Sequence, residues 1–178
     1  DGQEREPDSR GPFGVQPGFN PGRVAGGVRK VLEMSRWSAG APEGRAKGMG
    51  FYFSHLGYFA EVVEVSVSRT GTVTPHHVWV AGDVGRHIIN PFGALNQVEG
   101  SVIDGLGQAI QLAVELEGGA VKQSNFHDYP LPRMPVTPVI ETEWVLSDNE
   151  PTGLGEPALP PVIPALTNAI FALTGKRI

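Results

Sequence analysis

Residues 59–68 (FAEVVEVSVS) and 72–81 (TVTPHHVWVA) carry a period-two apolar pattern, and only Arg69-Thr70-Gly71 separates them. Successive strand side chains point to opposite faces, so two such runs joined by a short polar connector predict a β-hairpin within a sheet. Pro75 has no backbone N–H to donate, which predicts an edge, a bulge or the first half of a strand at that point.

The remaining periodic segments fall around this pair. Val28, Val31, Leu32 and Met34, with Trp37 beyond, predict a helix over 24–37, stopped by the glycines and proline of SAGAPEGRAKGMG. Residues 50–56 read as extended. A longer helix is expected over 91–116, because Asn90 can cap it, Pro91 suits its first position, and Leu95, Val98, Val102, Leu106, Ala109, Ile110 and Ala113 recur every three or four residues. Gly100, Gly105 and Gly107 interrupt that apolar face, each costing roughly 0.5–1 kcal/mol relative to alanine. Something must approach this helix too closely for a side chain. Gly118-Gly119 turns the chain into a short extended piece, 139–146 reads as a strand, and 158–173 reads as a helix ended by Gly175. The outcome is an α+β layered fold, a mixed sheet packed with a long helix and a C-terminal helix. Residues 1–23, rich in glycine and proline and without an apolar period, form an irregular N-terminal arm, leaving 24–178 as the folded unit.

So many turns need glycine and proline, and the chain has 24 and 16 of them in 178 residues. With 40% hydrophobic residues and no collagen period, neither fibre nor full disorder fits. A formal charge of -5 with scattered basic residues argues against a nucleic-acid partner. The lack of any cysteine excludes a disulfide, a zinc–thiolate centre, a protein-held iron–sulfur cluster and a cysteine nucleophile within this sequence. No apolar run approaches the ~18 residues of a membrane span, and no signal peptide starts at Asp1. Strand–GxGxxG–helix and GxxxxGK[ST] units are also absent, which argues against a nucleotide fold.

Four places carry chemistry. In Gly153-Leu154-Gly155-Glu156-Pro157, the glutamate is either a first-turn capping carboxylate or a general base in a cavity that the glycines leave open. In Asn96-Gln97-Val98-Glu99-Gly100, Gln97 offers a donor and an acceptor beside freed space; the alternative is a plain solvent-facing helix surface, on which Glu99 belongs. Asp83 either turns the backbone or holds Arg86. Ser124, His127 and Asp128 have the residue types of a hydrolytic triad but lack a nucleophile elbow. Adjacent His76 and His77 point to opposite strand faces, and His55 and His127 are single, so no protein-ligated metal is expected.

At these places the chain resembles one family. QVEGSVIDGLGQAI, SNFHDYPLPRMP and PTGLGEPALPPVIPALTNAIFALTGKRI, preceded by AEVVEVSVSRTGTVTPHHVWVAGDVGRHIINP, are similar to the C-terminal part of the molybdopterin-binding subunit of the xanthine dehydrogenase/aldehyde oxidase family. The nearest branch is the isoquinoline 1-oxidoreductase beta-subunit type, and the resemblance runs over residues 23–178. It implies a molybdopterin-type molybdenum cofactor whose metal is held by the pterin dithiolene and by no protein residue. It implies Glu156 as general base, Gln97 as a hydrogen-bonding partner of the pterin, and Gly153, Leu154 and Gly155 as cavity wall. The implied reaction inserts a water-derived oxygen at an electrophilic carbon of an aldehyde or N-heterocycle, with electrons leaving through iron–sulfur clusters on a partner subunit.

Several departures qualify that resemblance. The family's upstream glycine-rich pterin loops are missing, and Val84 stands where many relatives carry cysteine. The segment is therefore expected to be one piece of a split or processed large subunit, completed by the remainder of the molybdopterin-binding subunit, with a cytochrome as electron acceptor in an exported, periplasmic complex. A non-catalytic structural or cofactor-insertion relative is the competing reading, and molybdenum content discriminates between them.

Overall fold

A computed structural model describes residues 19–178, so the expected arm lies outside the described residues up to position 18. The elements are α1 (Pro21–Met34), β1 (Arg45–Ser54), β2 (Gly57–Val67), β3 (Val73–Asp83), α2 (Pro91–Ile110), β4 (Leu116–Glu117), β5 (Ala120–Val121), β6 (Val139–Trp144) and α3 (Leu159–Thr174), with short 3-10 turns at Trp37–Ala39 and Met134–Val136. β1, β2 and β3 are antiparallel neighbours, and β6 returns to pair in parallel with β3, giving the expected mixed sheet in the order β1-β2-β3-β6. β4 and β5 form a separate small hairpin across Gly118 and Gly119, both at positive φ.

The sheet is the middle of three layers. On one face Phe59, Val63 and Val65 of β2 and Val78 and Val80 of β3 pack against Val98, Val102 and Leu106 of α2 and Val162, Ala165 and Leu166 of α3. On the other, Ala60, Val62, Trp79 and Ala81 meet Val31 of α1. The alternation in β2 therefore sorts side chains between two cores, not between core and water. Each Val or Leu so buried stabilises by roughly 1.5–3 kcal/mol. Glu61 shares the α3 side, wholly buried, with neither carboxylate oxygen hydrogen-bonded among the described residues, and burial pushes its carboxyl well above the ordinary range.

Boundaries differ from expectation for local reasons. α1 begins at Pro21, inside the expected arm, because Asn20 Oδ1 accepts from the N–H groups of Gly22 and Arg23 (2.8 and 3.2 Å) ahead of the first apolar residue. β1 begins at Arg45, within the stretch that stops the preceding helix. Its Gly48 and Gly50 break the alternation, yet they allow the α3 backbone to lie on the strand: a Cβ would stand 2.2 Å from Ala165 O at Gly48 and 2.2 Å from Pro161 O at Gly50. Asn168 of α3 also donates to Met49 O (2.9 Å). α2 keeps its Asn90 cap and Pro91 start but stops at Ile110, short of 116. Pro75 does mark a bulge: Val65 pairs with Pro75 and Glu64 with His77, leaving His76 as the extra residue. α3 accommodates Pro160 and Pro161 in its first turn and Pro164 one turn on, and Gly175 ends it at positive φ with its N–H on Phe171 O.

Candidate active site

α2, the loop before α3 and the β1–β2 turn converge on one open cleft of about 380 Å³, lined by Ser54, His55, Gln97, Gly100, Ser101 and Glu156 among others. Each element is held in place by its own chemistry. The buried stripe of α2 fixes Val98 and Val102 on the core, which turns Gln97 and Ser101 outward over the cleft. Gly105 and Gly107 explain how closely α2 is approached: a Cβ would meet Val162 of α3 at 2.5 Å and Pro132 at 2.6 Å. Gly100 differs from that expectation, since nothing lies within 4 Å of its added Cβ. Its missing side chain leaves the cleft open.

The segment 153–156 crosses the mouth of this cleft. Gly153 N–H donates to His55 O (3.2 Å), Ser101 Oγ donates to Gly155 O (3.4 Å), and Glu156 O accepts from Leu159 N–H (3.0 Å). α3 takes Ala158 as its N-cap with no side-chain capping bond, so Glu156 is not the capping carboxylate. Its side chain is exposed, makes no hydrogen bond among the described residues and lines the cleft. Gly155 faces Gln97 Oε1, 3.9 Å from an added Cβ, while Gln97 and Leu154 also line an adjoining cleft of about 340 Å³. The structure thus brings Gln97, Leu154 and Glu156 to two neighbouring clefts, while Gly153 and Gly155 lie in the connecting loop without lining either. Glu99 is exposed on α2 outside both.

The remaining candidates are structural. Asp83 is buried and does turn the backbone, accepting from Gly85 N–H (3.1 Å). It does not hold Arg86, which pairs instead with Glu150 (2.6 Å). Its cation is Arg23, bidentate at 2.9 and 2.7 Å, with Ser147 Oγ at 3.1 Å, and Arg23 also lies over the Tyr58 ring at 4.4 Å. Ser124 and Asp128 form a loop clasp: the carboxylate accepts from the Ser124 and Asn125 N–H groups and from Ser124 Oγ (3.1 Å), which holds its pKa down to about 2. A serine donating to the carboxylate is the wrong order for a triad. His76 pairs with Ser66 Oγ and His77 with Glu141.

The cleft walls offer amides, hydroxyls and carboxylates at separate points, and the Cβ-free Gly100 leaves room beside them, a donor set compatible with a pterin. No group of three or more potential metal-ligating side chains occurs among the described residues. A metal carried by its own organic ligand is compatible with that donor set.

The fold is a three-layer α+β domain with an open cleft between helix and loop, and sequence comparison places it. The chain belongs to the molybdopterin cofactor-binding domain family, whose match covers residues 25–138 and so includes Gln97 but not Glu156. It is 37% identical over 160 residues to the isoquinoline 1-oxidoreductase subunit beta of Brevundimonas diminuta, 88% of this chain and 20% of that protein. It is also 32% identical over 162 residues to a protein of Gluconacetobacter polyoxogenes named membrane-bound aldehyde dehydrogenase [pyrroloquinoline-quinone], 88% of this chain and 21% of that protein. The chain therefore spans about a fifth of the length of these relatives. Among solved structures, the aldehyde oxidoreductase of Desulfovibrio gigas shares its fold with a TM-score of 0.60 at 24% identity, over 68% of this chain and 14% of that one.

His55 and Ser54 are the site residues that sequence reasoning missed. His55 was a single histidine with no partner pattern. Its place depends on a two-residue turn, His55-Leu56, with φ of 52 and 66°. This left-handed conformation costs a non-glycine residue roughly 1–2 kcal/mol.

Proposed function

We propose that this chain is the part of a molybdenum hydroxylase that supplies the general base, Glu156, and a cofactor-contacting amide, Gln97. The observation that supports it most is that the unpaired Glu156 carboxylate and Gln97, drawn from different elements, line one cleft in a chain of the molybdopterin-binding family. When bound there, molybdopterin supplies a molybdenum centre able to take up two electrons.

The residues of this chain do the rest. Gln97 would hold the pterin by hydrogen bonds, and the 153–155 segment would form the adjacent wall. Leu154, packed on the main core, holds that wall in place. A Glu156 carboxylate oxygen takes the proton released as water-derived oxygen attacks the substrate carbon. The substrate class is an aldehyde or an N-heterocycle. Electrons leave through an iron–sulfur partner subunit, and the rest of the molybdopterin-binding subunit completes the cofactor cage. A periplasmic setting with a cytochrome acceptor belongs to the same proposal, as the isoquinoline-type resemblance of the sequence implies.

Glu156→Gln tests the assignment in the purified native complex. Turnover should fall by about 10²–10⁴ while molybdenum and pterin content hold. Near-normal turnover in metal-replete E156Q rules out Glu156 as the base. Wild-type protein that carries no molybdenum assigns the chain to the non-catalytic reading or, if a quinone is found instead, to another redox cofactor.

A further inference from the structure

The turn at His55 is tied to the candidate base loop by one hydrogen bond and lies close against it. His55 O accepts from Gly153 N–H (3.2 Å), His55 Cβ would stand 2.9 Å from a Cβ on Gly153, and an added Cβ on Gly57 would stand 3.3 Å from Thr152 Oγ1. Two non-glycine residues, His55 and Leu56, stand at positive φ in this hairpin turn, and strained backbone of this kind gathers at functional sites. The ring is oriented as well: Ser54 Oγ lies 2.8 Å from His55 Nδ1, leaving Nε2 without a protein partner among the described residues. The imidazole is exposed and lines the cleft of Glu156. The titratable groups on that cleft are His55 from the turn, Asp104 from α2 and Glu156 from the loop, and no lysine or arginine lines it. Asp104 is engaged by Gln108 Nε2 (2.9 Å).

We propose that His55 is the proton-exchange partner of Glu156, a reading that rests on Glu156 acting as the base. After each turnover Glu156 holds a proton on its carboxyl oxygen. Nε2 of neutral His55 takes that proton through a bridging water, and the exposed imidazolium returns it from Nε2 to solvent, so the Nδ1–H on Ser54 Oγ and the Glu156 carboxylate are both restored. One proton enters the relay and one leaves, with no electron moved. Histidine is the side chain suited to this exchange near neutral pH.

His55→Asn is the appropriate variant, because asparagine tolerates positive φ and should keep the turn while removing the ring. In the purified native complex, H55N should retain its molybdenum, keep its first-turnover rate and KM, and lose at least tenfold in steady-state turnover. Added free imidazole should restore part of that loss. Independently of the variant, diethylpyrocarbonate modification of His55 in the wild-type complex, located by peptide mass spectrometry, should slow steady-state turnover at least tenfold with molybdenum retained. Unchanged steady-state turnover in H55N overturns the relay. So does full steady-state turnover after His55 has been modified, and so does lost activity accompanied by lost molybdenum, which would make His55 structural. An inactive E156Q beside a fully active H55N leaves the base in place and removes only the relay; a fully active E156Q removes the base itself.

Discussion

Glu61 is the residue whose setting most departs from its chemistry. It lies wholly buried on the core face of β2 beneath α3, and no described group offers it a hydrogen bond or a cation. Its carboxyl is pushed above the ordinary range by burial, so the folded protein holds a proton that the unfolded chain has already released. Stability should therefore fall as pH rises through about 4.5 and keep falling toward the raised pKa. Glu61→Gln removes that dependence: its melting temperature should exceed the wild type at pH 8 and converge with it near pH 4. Parallel melting temperatures across that range would show that Glu61 titrates as an ordinary surface carboxylate. Arg23 and Asp83 make the opposite case, a paired buried carboxylate with side-chain exposures of 10% and 1%. Breaking such a pair from one side costs about 3–5 kcal/mol, and Arg23→Met should lower the unfolding free energy on that scale in chemical denaturation. Neither setting was legible in the sequence. Glu61 sits in an alternating run that reads equally well with one wet face, and Asp83 finds its cation sixty positions away, across an expected arm.

Elements were more legible than the contacts between them. The β2–β3 hairpin follows from alternation alone, α2 announces its start through Asn90-Pro91, and Gly118-Gly119 supplies the positive φ values that a tight turn requires. β1 was read short because Gly48 and Gly50 carry no hydrophobic signal, though these are the positions that let α3 settle on the sheet. Gly50→Ala should therefore cost about 1–3 kcal/mol, as other overpacked core positions do, since the new methyl meets Pro161 O, backbone that cannot rotate aside. The check is the denaturant midpoint of the intact protein, and an unchanged midpoint would mean that α3 does not bear on β1. In α2 the three interrupting glycines share one sequence signature but have two roles. Gly105 and Gly107 admit neighbours, whereas Gly100 keeps space. Only the tertiary arrangement separates them. The same holds for Gln97 and Glu156, which motif resemblance singles out while their shared cleft needs the fold.

At the scale of the whole molecule, the chain presents apolar side chains that its own layers do not cover. Ile89 and Phe92, 91% and 82% exposed, flank the Asn90 cap at the entrance to α2, beside the second cleft. On the proposed function, this surface should meet the rest of the molybdopterin-binding subunit. Hydroxyl-radical footprinting of the intact assembly should show both side chains protected, and I89E/F92E should reduce recovery of the assembled complex at least tenfold. Full labelling of both residues in the assembly would place the partner elsewhere. The seating of α3 on β1 has a temporal consequence as well. Asn168 and Met49, bonded across that contact, are 119 positions apart in the chain. A growing polypeptide leaves the ribosome from its N-terminus, so the sheet emerges with one face open and waits for α3 to close it. Until then Gln97 has no carboxylate opposite it and the cleft has no second wall. Loading of the cofactor must follow translation of this segment, and a nascent chain stalled before Glu156 should be unable to retain pterin.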